Sequence, residues 1–249
     1  MTSTTAPERS LTVAVEPPVF ARFPGLTIVA VSASNVDTTR ANPAADALWE
    51  TAWQEVAASA AALGNAQSHP RVAPWRTAFR EMGLAPRDFR SSIENLMRRA
   101  LRGGEPFRIS PLVDSYNALS IRHAIPIGCF DARAIHGFGA PLHVRETHAG
   151  DTFHALDANE PEPTAVGEVT WASGEVLITR HFVWRQSREA LVTPDTRDVL
   201  IVAEVLGEVG HDAARALEHD LVQMLHEVFG VSSTSALINA EHPVADLPL

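Results

Sequence analysis

The order of patterned segments predicts an α+β fold. Apolar stretches typical of strands lie near the start of the chain and again in its second half. Helical patterns are grouped early, between residues 42 and 104, and late, between residues 210 and 229. This grouping favours an α+β domain over a regular series of βαβ units.

The first half of the chain is predicted to begin with two strands and to continue with helices. Residues 11–15 alternate like a strand, and residues 26–31 form a continuous apolar run typical of a buried strand. Residues 43–63 predict a long helix that a glycine ends, and residues 74–82 predict a second helix.

The next helix carries the clearest pattern. Ser91 or Ser92 is expected to cap its N-terminus by accepting hydrogen bonds from the first free amides, and Gly103 follows its end. Arg98 and Arg99 lie off the apolar stripe and are expected to face solvent. The stripe consists of Ile93, Leu96, Met97 and Ala100.

The second half is predicted to contain mostly strands and one long helix. Residues 127–172 read as short strands separated by glycine turns. Residues 176–180 and 198–205 predict two further strands, and residues 210–229 predict the helix.

The chain length suits a single large domain. We expect residues 1–10 to be disordered, residues 11–232 to form the domain and residues 233–249 to form a C-terminal tail. The large aromatic residues on the apolar helix faces should belong to the core. These are Trp49, Trp75 and Phe79.

Composition predicts a cytoplasmic protein. The first ten residues are polar and lack an apolar signal region, and the chain has no apolar run of the length that a membrane span needs. Cys129 is the single cysteine, so an internal disulfide and a cysteine-based metal cluster are both excluded. A reducing compartment agrees with this usage.

The charge is unevenly distributed. The net charge is −10, which argues against indiscriminate coating of nucleic acid. Residues 69–110 nevertheless hold nine Arg against four acids, a local charge of +5. This basic segment suits a confined phosphate contact, although a solvated arginine face explains it as well. Every basic residue is Arg, so lysine-based nucleophilic catalysis is excluded.

Common cofactor and catalytic motifs are absent from the sequence, which has no glycine-rich nucleotide loop, nucleophile elbow or zinc-protease helix. We therefore predict no cofactor. The histidines at 136, 143, 148 and 154 are separated by seven, five and six residues, which match no helical ligand pair. We predict no metal site either.

Two motifs in the middle of the chain suggest a family. Val113 and Asn117 frame a Val-Asp-x-x-Asn motif, and fourteen residues past Asn117 a Pro-x-x-x-Phe-Asp motif closes at Asp131. This stretch resembles the B3/B4 domain of the phenylalanyl-tRNA synthetase β subunit. The segment before it and residues 184–186 are more similar to freestanding B3/B4 proteins. The resemblance covers roughly residues 65–232 and implies mixed or antiparallel sheets packed with helices.

The resemblance also implies a substrate class. In the synthetase family this domain hydrolyses wrongly charged aminoacyl-tRNA, so we expect the aminoacyl ester to be cleaved in trans. One alternative is attack by an amine, which would give an amide or a cyclised aminoacyl group. Another alternative is a noncatalytic tRNA-binding module. The expected partners are aminoacylated tRNA and its small amino-acid moiety, with no membrane; the oligomeric state is not predicted.

The resemblance places candidate catalytic residues at three positions. Glu204 matches the editing glutamate and could hold the substrate's α-ammonium or orient a water, unless it is an ordinary strand-end glutamate in solvent. Asn117 matches the motif asparagine, which can also serve only to tie a turn. The family's editing histidine falls at Gly128 here, and His123 lies five residues upstream.

Binding residues are expected in two further places. Trp184, Arg185 and Gln186 stand where the synthetase has a small glycine-rich segment, and with Gly128 they should shape the amino-acid pocket. Alternatively, Trp184 belongs to the core. The expected phosphate contacts in the basic segment are Arg90, Arg98 and Arg99.

Overall fold

The computed structural model describes residues 9–249, without the side chains of Ala60 and Ala61. Most of the N-terminal segment that we expected to be disordered, residues 1–8, lies outside the described residues. Ser10 already belongs to the first strand. Among the described residues, no helix combines the length and the apolar character needed to cross a membrane.

Helices form in each of the four predicted helical stretches. The long helix expected over residues 43–63 is interrupted at Ser59, where the chain forms a turn. The helices are α1 (Pro17–Arg22), α2 (Pro43–Ala58), α3 (Ala60–Leu63), α4 (Ala73–Glu81), α5 (Ser92–Leu101), α6 (Pro111–His123), α7 (Ala132–Gly137) and α8 (His211–Phe229). Helices α1, α6 and α7 were not predicted, and α7 lies in a stretch that was expected to contain strands.

The strands occur at both ends of the chain and through its second half. They are β1 (Ser10–Val15), β2 (Thr27–Ala33), β3 (Ile127–Asp131), β4 (Leu142–Glu146), β5 (Val169–Ser173), β6 (Val176–Leu177), β7 (Thr179–Arg180), β8 (Arg185–Gln186), β9 (Val199–Val205), β10 (Ser233–Ile238) and β11 (Val244–Pro248).

Within the described residues, the strands form two main sheets and a small ribbon. The first sheet has the order β11-β1-β4-β5-β6 and is mixed, because β1 and β4 run parallel. The second has the order β10-β2-β9-β3 and is antiparallel throughout. Strands β7 and β8 pair separately. This arrangement confirms the α+β prediction with mixed and antiparallel sheets.

Alternation along β9 shows how the layers are arranged. Leu200 and Val202 point into an apolar core shared with the five-stranded sheet. Ile201 and Ala203 point to the opposite face, where they pack with Leu217 and other residues of α8. The four-stranded sheet is therefore the middle layer of the molecule, with the second sheet on one side and helices on the other.

Helices α2, α5 and α6 pack on one another through a third apolar cluster. Ser91 is the N-cap of α5, and its hydroxyl accepts a hydrogen bond from the Glu94 amide at 3.3 Å. The predicted core positions Trp49, Trp75 and Phe79 are all buried, which confirms that prediction.

The C-terminal segment differs from the expected tail. Strand β10 pairs with β2 over six residues, and β11 pairs with β1 over five. Both strands fill edge positions of sheets whose backbone groups would otherwise lack partners. Their side chains are mostly exposed or half-buried, which explains why their apolar pattern is weak.

Candidate functional site

A small cavity lies between the four-stranded sheet and the ribbon of β7 and β8. Its volume is about 90 Å³, which suits a few water molecules or a short side chain. Its walls come from β3 and β9 of the sheet, from β7, β8 and the loop between them, and from the start of α5. The lining residues are Ser92, Ile127, Gly128, Phe130, Thr179, Phe182, Val183, Trp184, Arg185, Gln186 and Glu204.

Glu204 is the acidic group of this cavity. It follows Leu200 and Val202 on the same face of β9, so its side chain points into the apolar core, and it is only 4% exposed. Its Oε1 accepts a hydrogen bond of 2.7 Å from Nε1 of the fully buried Trp171, on the facing sheet. Burial raises the pKa of Glu204 to about 8, while the Trp171 bond lowers it by a smaller amount.

The wall opposite Glu204 is a loop with an unusual backbone. His181 and Phe182 have φ values of 48° and 65°. These lie in the left-handed region, which residues other than glycine rarely adopt. Two consecutive residues of this kind need outside support to persist. Phe182 is fully buried and packs edge-on against Trp75 at 5.6 Å between ring centroids.

Glu168 supports this loop. One of its carboxylate oxygens accepts a bond of 2.6 Å from the His181 amide, and the carboxylate also pairs with Nε of Arg180 at 2.7 Å. Nδ1 of His181 lies 3.2 Å from the same carboxylate. Burial lowers the pKa of His181, and Glu168 opposes this effect. These contacts hold the strained turn in one conformation.

The three consecutive residues predicted for the pocket all line the cavity. Trp184 stacks on His181 at 5.2 Å and meets Phe89 edge-on at 4.8 Å. Arg185 pairs with Glu162 at 3.0 Å on the outer side. Nε2 of Gln186 donates to the backbone of β3 and of the loop before β9.

Gly128 also lines the cavity. It lies on β3 opposite Val202 of β9. A Cβ atom there would meet a Val202 methyl at 3.7 Å and Phe130 at 3.8 Å, both ordinary contacts. A small side chain would fit, and the glycine leaves this part of the cavity wall open.

His123 and Asn117 do not line the cavity. His123 ends α6, and its Nε2 lies 2.7 Å from a carboxylate oxygen of Asp220 on α8. That helix packs on the face of the sheet opposite Glu204. The sheet therefore separates His123 from the cavity, which contradicts the prediction that it could replace the family histidine. Asn117 is buried within α6.

The predicted phosphate contacts surround a buried carboxylate. Glu94 is 1% exposed and accepts hydrogen bonds of 2.8 and 3.1 Å from Nη1 of Arg76. Its Oε1 lies 3.8 Å from Arg90 and 3.9 Å from Arg98. The three guanidinium groups therefore share one negative charge. Arg99 is placed differently, with its guanidinium over the ring of Phe107.

Trp171, Glu168 and Glu94 were not predicted from the sequence to be parts of the site. Trp171 and Glu204 are 33 residues apart, and only the packing of two sheets brings them together. For Glu94 there was a signal, because Glu94 and Arg98 are four residues apart on the predicted helix and are therefore neighbours on its surface. Within residues 9–249, no three side chains form a cluster that could hold a metal ion.

Comparison with known proteins identifies the family. The model of the B3/4 domain family matches residues 74–219, more than half of the chain. The chain belongs to the B3/4 domain family. No curated protein matches it. Among solved structures, it is similar to the crystal structure of an N-terminal fragment of the phenylalanyl-tRNA synthetase β-subunit from Pyrococcus horikoshii, with 10% identity and a TM-score of 0.46. That match covers 95% of this chain and 56% of the fragment, so this B3/4 protein spans little more than half of it.

Proposed function

We propose that this B3/4 protein acts on aminoacyl-tRNA and cleaves its aminoacyl ester. The observation that carries the proposal is the buried carboxyl group of Glu204 in the wall of a small cavity. The resemblance of its motifs to the editing domain supplies the substrate class.

The pKa of Glu204 suits acid–base catalysis near neutral pH. A group is most effective when its pKa lies close to the working pH, and burial raises the pKa of Glu204 to about 8. Because Trp171 already bonds to Oε1, a bound water would approach Oε2.

In the proposed reaction the ionised Glu204 takes a proton from this water. The water oxygen then forms a bond with the ester carbonyl carbon. The bond from that carbon to the ribose oxygen breaks, and Glu204 passes the proton to this oxygen, which leaves as the ribose hydroxyl. Since only the ionised carboxylate can accept the proton, activity should rise with pH until it levels above pH ~8.

The size of the cavity supports a short aminoacyl group. About 90 Å³ is little room for an aromatic side chain, and Trp184 closes the wall through its contacts with His181 and Phe89. We therefore expect small or short aminoacyl esters to be cleaved faster than aromatic ones.

The test is release of the aminoacyl group from a panel of charged tRNAs. Glu204→Gln should reduce turnover by roughly two to four orders of magnitude, without loss of tRNA affinity. Glu208→Gln is the matched control, because Glu208 is exposed in the turn just after β9. Equal release by the parent and the Glu204 variant would show that this carboxyl group is structural.

The identity of the product separates the alternatives. Free amino acid supports hydrolysis, whereas an amide or a cyclised product would assign an amine as the nucleophile. Binding of charged tRNA without any product would assign the noncatalytic role.

A further inference from the structure

A second concave surface lies at the C-terminal end of α5. This groove has a volume of about 340 Å³, within the range of small-ligand sites. The loop after α3 and the 3₁₀ turn Ala66–Ser68 form one side, and the last turn of α5 forms the other. Its lining residues are Gly64, Asn65, Ala66, Gln67, Arg98, Leu101 and Arg102.

The charge of the groove suits a phosphate group. Arg98 and Arg102 are four residues apart on α5 and therefore lie on the same side of the helix. Arg98 reaches Glu94 only at 3.9 Å, since Arg76 holds that carboxylate at 2.8 Å. The helix C-terminus contributes about half a negative charge, which two guanidinium groups outweigh.

The remaining lining groups suit the other parts of a nucleotide. Oδ1 of Asn65 accepts two bonds of 3.0 Å from Ser68, so the Asn65 amide nitrogen is the group that can donate to a ligand. Gln67 is exposed and adds a second amide. Leu101 adds an apolar surface to the lining.

Helix α5 connects the groove with the cavity. Ser92, its first residue, lines the cavity, and Arg98 lines the groove. Six residues of α-helix span about 9 Å. A single strand whose end lies at the opening of the cavity can therefore run along α5 to the groove.

We propose that the groove of Asn65, Gln67, Arg98 and Arg102 binds a nucleotide of single-stranded RNA whose 3′ end lies at the opening of the cavity. The proposal rests on the proposed function and assigns a separate binding site for its substrate. Arg98 and Arg102 contact the phosphate, and the amides and Leu101 contact the sugar and base.

The test uses a short single-stranded RNA oligonucleotide that carries a fluorescent label and no aminoacyl group. Its fluorescence anisotropy with the protein is measured over a range of salt concentrations. Each phosphate contact on single-stranded RNA contributes roughly 0.7 to the log–log slope, or about fivefold in affinity at 0.1 M salt if the contribution vanishes at 1 M. Arg98 and Arg102 hold the same phosphate, so replacing both by Gln should weaken binding about fivefold and lower the slope by about 0.7.

Two further variants control for charge. Arg215→Gln removes a positive charge from α8, in the helical layer behind the four-stranded sheet, and should leave affinity unchanged. The Arg98→Lys and Arg102→Lys double variant keeps both charges and should keep most of the slope. Unchanged binding by the Gln variant, with its melting temperature preserved, overturns the proposal. An equal loss in the Arg215 variant overturns it as well.

The outcomes distinguish this site from the catalytic proposal. The Glu204→Gln variant should bind the oligonucleotide like the parent. If binding depends on the groove but no aminoacyl ester is cleaved, the RNA-binding proposal is supported and the catalytic proposal is refuted. Adenosine monophosphate serves as a competitor. If it displaces the RNA at a concentration equal to the RNA's own Kd, the groove is a mononucleotide site, which refutes the RNA proposal.

Discussion

The ionisation of Glu204 should make the stability of the protein depend on pH in a specific direction. The folded state raises the pKa of this carboxyl group from an ordinary value of 4.5 to about 8. Between these two values the folded state keeps the proton and the unfolded state loses it. Because the folded state binds more protons in this range, the free energy of unfolding falls as the pH rises.

The size of the effect follows from the two pKa values. A shift of one pKa unit corresponds to about 1.4 kcal/mol, so the full difference amounts to about 5 kcal/mol above pH 8. Between pH 5 and pH 8 the expected loss from this group alone is about 3.5 kcal/mol. Glu204→Gln removes the ionisation, while the Gln oxygen can still accept the bond from Trp171.

The measurement is urea denaturation of the parent and the Glu204→Gln variant at several pH values from 5 to 9. All other titrating groups are common to both proteins, so the difference in their free energies of unfolding isolates Glu204. From pH 5 to pH 9 the free energy of unfolding of the variant should rise relative to that of the parent by about 4 kcal/mol, whereas Glu208→Gln should show no such trend. A constant difference between parent and variant would refute the reasoning, since it would mean that Glu204 ionises equally in both states.

Two further predictions concern the core and the cavity wall. Trp49→Ala should cost about 3–5 kcal/mol in urea denaturation, because Trp49 is fully buried and its indole donates to the Phe107 carbonyl; a cost below about 1 kcal/mol would contradict this packing. Glu168→Gln should cost about 2–3 kcal/mol, since Arg180 and the strained turn lose a buried carboxylate. It should also speed hydrogen exchange at the His181 amide, and exchange as slow as in the parent would mean that the turn does not depend on Glu168.

The sequence predicted the central strand of the site but not its environment. The alternation of Leu200, Val202 and Glu204 places all three on one face of β9, and the resemblance identified Glu204 as the acidic residue. A glutamate at the end of an apolar strand is usually exposed, and here it is buried. Its burial depends on the facing sheet, which brings Trp171 within 2.7 Å. The alternation of residues along one strand does not predict which residue of another sheet that strand will contact.

His123 illustrates the opposite case. It lies five residues from Gly128 along the chain, which made it a candidate for the missing histidine. Between the two residues the chain leaves α6 and enters β3, and this change of element places them in different layers. Closeness along the chain therefore gave the wrong position, because the pairing of His123 with Asp220 depends on how α6 packs against α8.

The burial of Glu204 is a cost that the fold itself does not require. The position lies between Val202 and Leu206 in an otherwise apolar core, where an apolar side chain would avoid the loss of about 3 kcal/mol expected at neutral pH. Trp171 donates a hydrogen bond to only one of the two carboxyl oxygens. The contacts that would stabilise the charged form of Glu204 are therefore incomplete. Polar residues that occupy apolar core positions without stabilising the fold tend to occur at functional sites. The cavity beside Glu204 is where a substrate could complete this incomplete set of contacts, and a structural role for the carboxyl group would leave both the cavity and the cost unexplained.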